Sequence, residues 1–122
     1  MNSCLVTDDS PLVRKVARRI IERIGFVVDE AEDGSVALGK CGRVMPDTIL
    51  LDWNMPTMNG MEFLRNLRRM RGGSTPRVIL CTTESGVGRI REALEAGADE
   101  YIIKPFDEEI LRAKLTPVQT LS

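Results

Sequence analysis

Short apolar runs alternate five times with stretches of helical periodicity. Cys4-Leu5-Val6-Thr7 is the first run, a buried-strand pattern that stops at Asp8-Asp9. Ser10 and Pro11 then supply an N-cap and a proline at the first helical position. Leu12, Val13, Val16, Ala17, Ile20, Ile21 and Ile24 recur at helical spacing, which predicts that all face inward, and Gly25 closes the helix. Residues 26–31 predict a second strand. Residues 33–41 predict a short helix with Val36, Ala37 and Cys41 on one side, weakened by Gly34 and Gly39. Residues 47–52 form a third, nearly all-apolar strand, as expected of a parallel strand buried on both faces. A third helix over 61–70 turns Phe63, Leu64 and Leu67 inward, and a fourth strand over 77–81 ends at Thr82-Thr83. The fourth helix, 85–96, holds Gly86 and Gly88 in its first turn; each costs about 0.5–1 kcal/mol relative to Ala, which predicts a frayed start. Gly97 ends it, a fifth strand covers 99–103, and Asp107 caps a last helix running to about residue 115.

This alternation predicts an α/β fold, a five-stranded parallel sheet with right-handed crossovers and helices on both faces. The 122 residues suit one domain over 1–122, with a core at 3–115 and a tail at 116–122. The formal charge of −1 gives no general pull toward nucleic acid or an anionic membrane, and no segment is long and apolar enough to insert into one. The expected location is the cytoplasm, because the chain starts without a signal-peptide pattern and its three cysteines fit reduced, packed thiols. With no histidine and no paired cysteines, a zinc site or Cys–His catalysis is excluded. One local asymmetry stands out. The first helix carries Arg14, Lys15, Arg18, Arg19 and Arg23 against a single acid, Glu22, which suits docking of an acidic partner helix.

The candidate chemistry sits at the carboxyl ends of the strands, the edge where open α/β sheets bind ligands. The first strand delivers Asp8 and Asp9, the third Asp52, the fourth Thr82 and Thr83, the fifth Lys104. Three carboxylates in one crevice repel, which raises the pKa of at least one. A hard divalent cation relieves this, and the oxygen donors suit Mg²⁺, for which Mn²⁺ can substitute. Counting −3 from the acids, +2 from the metal and +1 from Lys104, the site is neutral and prepared for a dianion. That is the arrangement phosphoryl transfer requires, with Asp52 as the carboxylate nucleophile, Lys104 as counter-charge and Thr82 as hydroxyl donor.

With Asp8-Asp9-Ser10, Leu51-Asp52, Met55-Pro56, Asn59-Gly60, Thr82-Thr83, Ala96-Gly97-Ala98-Asp99-Glu100-Tyr101 and Lys104-Pro105-Phe106 all present, the chain resembles the receiver domain of two-component response regulators, of the single-domain chemotaxis (CheY-like) type. The resemblance implies a flavodoxin-like (βα)5 fold with strand order 2-1-3-4-5, for which the CheY type is itself a standard example. It implies that Asp52 accepts a phosphoryl group from a histidine of a sensor kinase or phosphotransfer protein. Asp9, Asp52 and the backbone carbonyl of Asn54 would hold the metal, with Asp8 acting largely through a bound water. Lys104 would contact the phosphoryl group, Thr82 would move toward it, Tyr101 would turn inward as the switch aromatic, and the Lys104–Pro105 bond would be cis. Asn54 and Glu84 occupy the positions that tune phosphoryl lifetime. Arg14, Lys15, Arg18 and Arg19 would dock the phosphodonor, and a downstream protein would bind the fourth helix, fifth strand and fifth helix. Trp53, directly after the acceptor, departs from the pattern in a way that bears on partner contact.

Other readings are open on the residues alone. A phosphorelay intermediate would return the phosphoryl group to another His protein. A haloacid-dehalogenase-type phosphatase shares the aspartyl nucleophile but needs a second Asp two residues on, where this chain has Asn54. A flavodoxin-type electron carrier would meet Asp8-Asp9 where it needs a phosphate cradle. The expected role is therefore a switch that catalyses only its own phosphorylation and dephosphorylation.

Overall fold

The structure, a computed structural model, describes residues 2–83 and 86–115. Its elements run β1 (Ser3–Thr7), α1 (Pro11–Ile24), β2 (Val27–Ala31), α2 (Gly34–Arg43), β3 (Thr48–Asp52), α3 (Gly60–Arg69), β4 (Arg77–Thr82), α4 (Val87–Ala96), β5 (Glu100–Ile103) and α5 (Glu108–Leu115). The strands form one parallel sheet in the order β2-β1-β3-β4-β5, the flavodoxin-like arrangement. Lys104–Pro105 is cis.

Alternation along each strand splits the core into two layers. Leu5, Ile49, Leu51, Val78 and Leu80 face α2, α3 and α4, meeting Ala37, Phe63, Leu64, Leu67 and Ala93. Cys4, Val6, Leu50, Ile79, Cys81 and Ile102 face α1 and α5, meeting Ala17, Ile21, Leu111 and Leu115. All three cysteines are free and buried. Burial pushes the Cys4 thiol up to about 12 and the Cys41 thiol up to about 11, so both behave as packed apolar groups.

The helix starts follow local rules. The Ser10 side chain accepts from the N–H of Val13, Asp33 caps α2 the same way, Asp107 Oδ1 accepts from Ile110 at 2.9 Å, and Asn59 forms a reciprocal capping box with Glu62.

Four sequence expectations need correction. Leu12 and Val16 are not core: they are 70 % and 47 % exposed. Periodicity identifies a helix face but not how far the sheet extends beneath it, and both residues border the Pro105-Phe106 loop. Phe26 belongs to the exit of α1 and not to β2. Its N–H donates to Ile21 and that of Gly25 to Glu22, a Schellman closure with Gly25 at φ 113°. Asp47 precedes β3 and ties the sheet's opposite edge together, its carboxylate accepting from both the N–H and the hydroxyl of Ser3. Helix α4 starts at Val87 with Gly86 as an extended N-cap that makes no side-chain bond, so only Gly88 lies within the first turn.

Candidate functional site

The sheet register assembles the site. Thr7 pairs with Leu51, so Asp8 follows directly beside Asp52; Asp52 pairs with Cys81, next to Thr82; and Thr82 pairs with Ile103, next to Lys104. Asp8, Asp52 and Thr82 are buried and Asp9 is exposed. Lys104 Nζ reaches across the crevice, donating to Asp8 Oδ2 at 2.8 Å and Asp52 Oδ1 at 3.1 Å. Burial opposes its charge, but its hydrogen bonds and attraction to the two acids prevail, raising its pKa and keeping it an ammonium. The Asp52 carboxyl is pushed up by burial and then by the Asp8 charge, against the opposing hydrogen bond from Lys104.

Carboxylate oxygens of Asp8, Asp9 and Asp52 all lie within 4.8 Å of one another. The donor set is entirely hard oxygen, and three acids against one ammonium leave net negative charge. It therefore fits a small divalent cation with a preference for oxygen. Both oxygens of Asp8 already have donors: Oδ1 takes the N–H of Ser10 at 2.9 Å and Oδ2 takes Lys104.

The remaining sequence candidates lie around this centre. Asn54 is exposed, two residues past Asp52, and Tyr101 is half-buried against the core. Lys114 Nζ stands 5.8 Å from the centre of the Tyr101 ring. Glu84 lies outside the described residues. On α1, Lys15 and Arg19 are exposed, whereas Arg14 and Arg18 are tied to Glu30, at 3.1 and 2.8 Å. Trp53 is buried, not a surface contact: strand pairing continues through its N–H to the Cys81 carbonyl, and Arg89 of α4 stacks on its ring at 4.7 Å. Leu12, Val13, Val16, Pro105 and Phe106 line an apolar groove of about 430 Å³ that runs up to Lys104.

Sequence reasoning missed how the loop after Asp52 is held. Gly60 donates its N–H to the Trp53 carbonyl at 2.8 Å, and a Cβ there would stand 2.5 Å from the Asp52 carbonyl, so only glycine fits under the acceptor. The N–H of Met58 donates to Pro56 at 2.6 Å around Thr57 at φ 68°, a γ-turn centred on a β-branched residue. A positive φ in such a turn is strained for a β-branched residue, whereas glycine adopts it freely. Thr57→Gly is therefore expected to raise stability by about 1 kcal/mol in urea denaturation. An unchanged or lowered midpoint would show that the turn is unstrained.

The sequence profile of the response regulator receiver domain matches residues 4–116. The chain is 37 % identical over 116 residues to chemotaxis protein CheY1 of Helicobacter pylori (strain J99), covering 93 % of this chain and 94 % of that protein. It is likewise 37 % identical to the CheY homolog of Campylobacter jejuni, covering 93 % of this chain and 89 % of the relative. Among solved structures it is similar to the chemotaxis response regulator CheY4 of Vibrio cholerae, with a TM-score of 0.90, 32 % identity, and coverage of 94 % and 96 %.

Proposed function

The chain belongs to the response regulator receiver domain family, and on that premise we propose that it is a phosphorylation switch in the cytoplasm. Asp52 takes a phosphoryl group from a phosphohistidine: the donor's P–N bond breaks as a P–O bond forms to the Asp52 carboxylate. The observation that carries this is the Lys104 ammonium held between Asp8 and Asp52, a fixed cation placed where phosphoryl charge would arrive.

By the family resemblance, Asp9, Asp52 and the Asn54 carbonyl would hold Mg²⁺ directly, and Asp8 through a bound water. Bound there, Mg²⁺ would neutralise the acids and help orient the phosphoryl oxygens. Asn54 offers no carboxyl to act as an acid, so turnover is slow, and the chain catalyses only its own phosphorylation and dephosphorylation. Asn54 and Glu84 set how long the group persists. Lys104 follows the incoming group, and Thr82 donates its hydroxyl. Tyr101 then packs inward against α4, and a downstream protein reads the changed surface of α4, β5 and α5.

The phosphodonor, a sensor kinase or phosphotransfer protein, docks on α1. Arg14 and Arg18 are largely engaged by Glu30, so the free charge is Lys15 and Arg19, flanking the exposed Leu12 and Val16 at the mouth of the apolar groove. The test is labelling with phosphorylated kinase and, separately, with acetyl phosphate and Mg²⁺. Lys15→Glu combined with Arg19→Glu is expected to slow transfer from the kinase roughly tenfold, because steering charge acts on association. The acetyl-phosphate rate should stay unchanged. Equal slowing from both donors would refute the docking assignment, and no labelling of the wild type from either would refute the switch.

A further inference from the structure

Arg14 lies one turn into α1, yet its guanidinium turns back to the strand ends. Nη1 donates to the main-chain carbonyl of Asp8 at 2.6 Å and Nε to Glu30 Oε1 at 3.1 Å. Glu30 is braced from the other side by Arg18 at 2.8 Å, and the Arg14 side chain is only 17 % exposed. Asp8 is thereby held at four atoms. Its N–H donates to the Ala31 carbonyl at 3.1 Å, its two side-chain oxygens accept from Ser10 and Lys104, and its carbonyl accepts from Arg14.

That carbonyl shares one planar peptide unit with the nitrogen and Cα of Asp9. Gripping the oxygen fixes the plane, and with it the direction in which the chain turns toward Asp9. Asp9 itself is exposed, so packing does little to aim it. A planar guanidinium can serve two acceptors in fixed relation, which an ammonium on a flexible stem cannot.

We propose that Arg14 is a positioning residue for the acidic cluster: clamped on Glu30, it holds the Asp8–Asp9 peptide so that the Asp9 carboxylate faces Asp8 and Asp52, and so sets the affinity for the divalent cation. This rests on the reading of the three acids as a metal centre. It also replaces a role for Arg14 as mere docking charge, and the two roles differ in sign. A cation standing near three carboxylates weakens metal binding, so deleting a bystander tightens it. Deleting a clamp loosens it.

The experiment is calorimetric titration of Mg²⁺ into the unphosphorylated protein, paired with acetyl-phosphate labelling rates across Mg²⁺ concentrations. Arg14→Ala is expected to weaken Mg²⁺ binding roughly tenfold, the usual scale for groups that orient ligands. Its half-saturating Mg²⁺ in labelling should rise in parallel, while the rate at saturating Mg²⁺ changes less than about twofold. Arg14→Lys keeps the charge and should recover only part of the affinity. If Arg14→Ala does not fold, Arg14→Lys decides alone, and affinity equal to wild type overturns the inference. Unchanged or tighter binding in Arg14→Ala, with normal wild-type binding, overturns the clamp and leaves the phosphoacceptor reading intact. A wild type that binds no Mg²⁺ overturns both.

Discussion

Asp52→Asn is expected to abolish phosphoryl labelling and, at the same time, to raise stability. The two effects share one cause. A carboxamide has the shape of the carboxylate but no nucleophilic oxygen, so no acyl phosphate can form from kinase or acetyl phosphate. In the unphosphorylated protein, however, the charge on Asp52 is a burden. It is buried, it sits beside buried Asp8, and the pair shares one ammonium. Burial and the Asp8 charge both raise its pKa, which means that ionised Asp52 opposes folding. Asn removes that charge and can still accept the hydrogen bond from Lys104, which also keeps its partner Asp8. A functional acid held at the expense of stability is a common trade at active sites. Phosphorylation assays and thermal melts on the same preparations read both effects. Stoichiometric base-labile labelling of the variant would overturn Asp52 as acceptor. A lower melting temperature would overturn the charge account while leaving the acceptor assignment standing.

Much of this site was legible because its residues stand at the ends of apolar runs. A parallel sheet brings such ends to one edge, so Asp8, Asp52, Thr82 and Lys104 could be placed together before any register was known. What was not legible depends on distance and direction. Periodicity put Leu12 and Val16 on the helix face with Ile20 and Ile21, but the face outruns the sheet, and they emerge as the rim of a groove. Trp53 reads as a loop residue because a loop follows Asp52, yet ladder pairing carries one residue further and buries it. Local propensity argues against Thr57 at a positive φ, so the γ-turn was invisible. Among five cations on α1, nothing local tells which one turns inward. Arg14 is selected by a carbonyl and a carboxylate that only the fold brings near it.

Arg68→Ala is expected to destabilise the fold by about 3 kcal/mol, although Arg68 lies away from the site. Arg68 lies in the last turn of α3, and its side chain is mostly buried, at 19 % exposure. Its guanidinium donates to Gly97 O at 3.1 and 2.6 Å, to Gly73 O and Pro76 O at 2.9 Å each, and to Asp99 Oδ2 at 3.1 Å. Asp99 Oδ2 also accepts from the N–H of Val78 at 2.8 Å, so the cluster joins the starts of β4 and β5. Gly97 sits at φ 112°, where a Cβ would stand 3.0 Å from the Arg68 side chain, so cap and clamp require each other. Removing the guanidinium leaves three carbonyls and a carboxylate without their charged donor, and each charge-assisted bond contributes roughly 1.5–3 kcal/mol, less than additively. For a domain whose total stability is about 5–15 kcal/mol, that is a large share. Arg68→Lys should recover less than half, since one ammonium cannot span these acceptors. The cluster lies at the edge of the sheet opposite Asp52. The folded variant should therefore accept phosphoryl groups at the wild-type rate while its urea midpoint falls. A normal midpoint would show that water replaces the clamp at little cost. Lost labelling in a variant still folded would show that the two edges are coupled through the sheet.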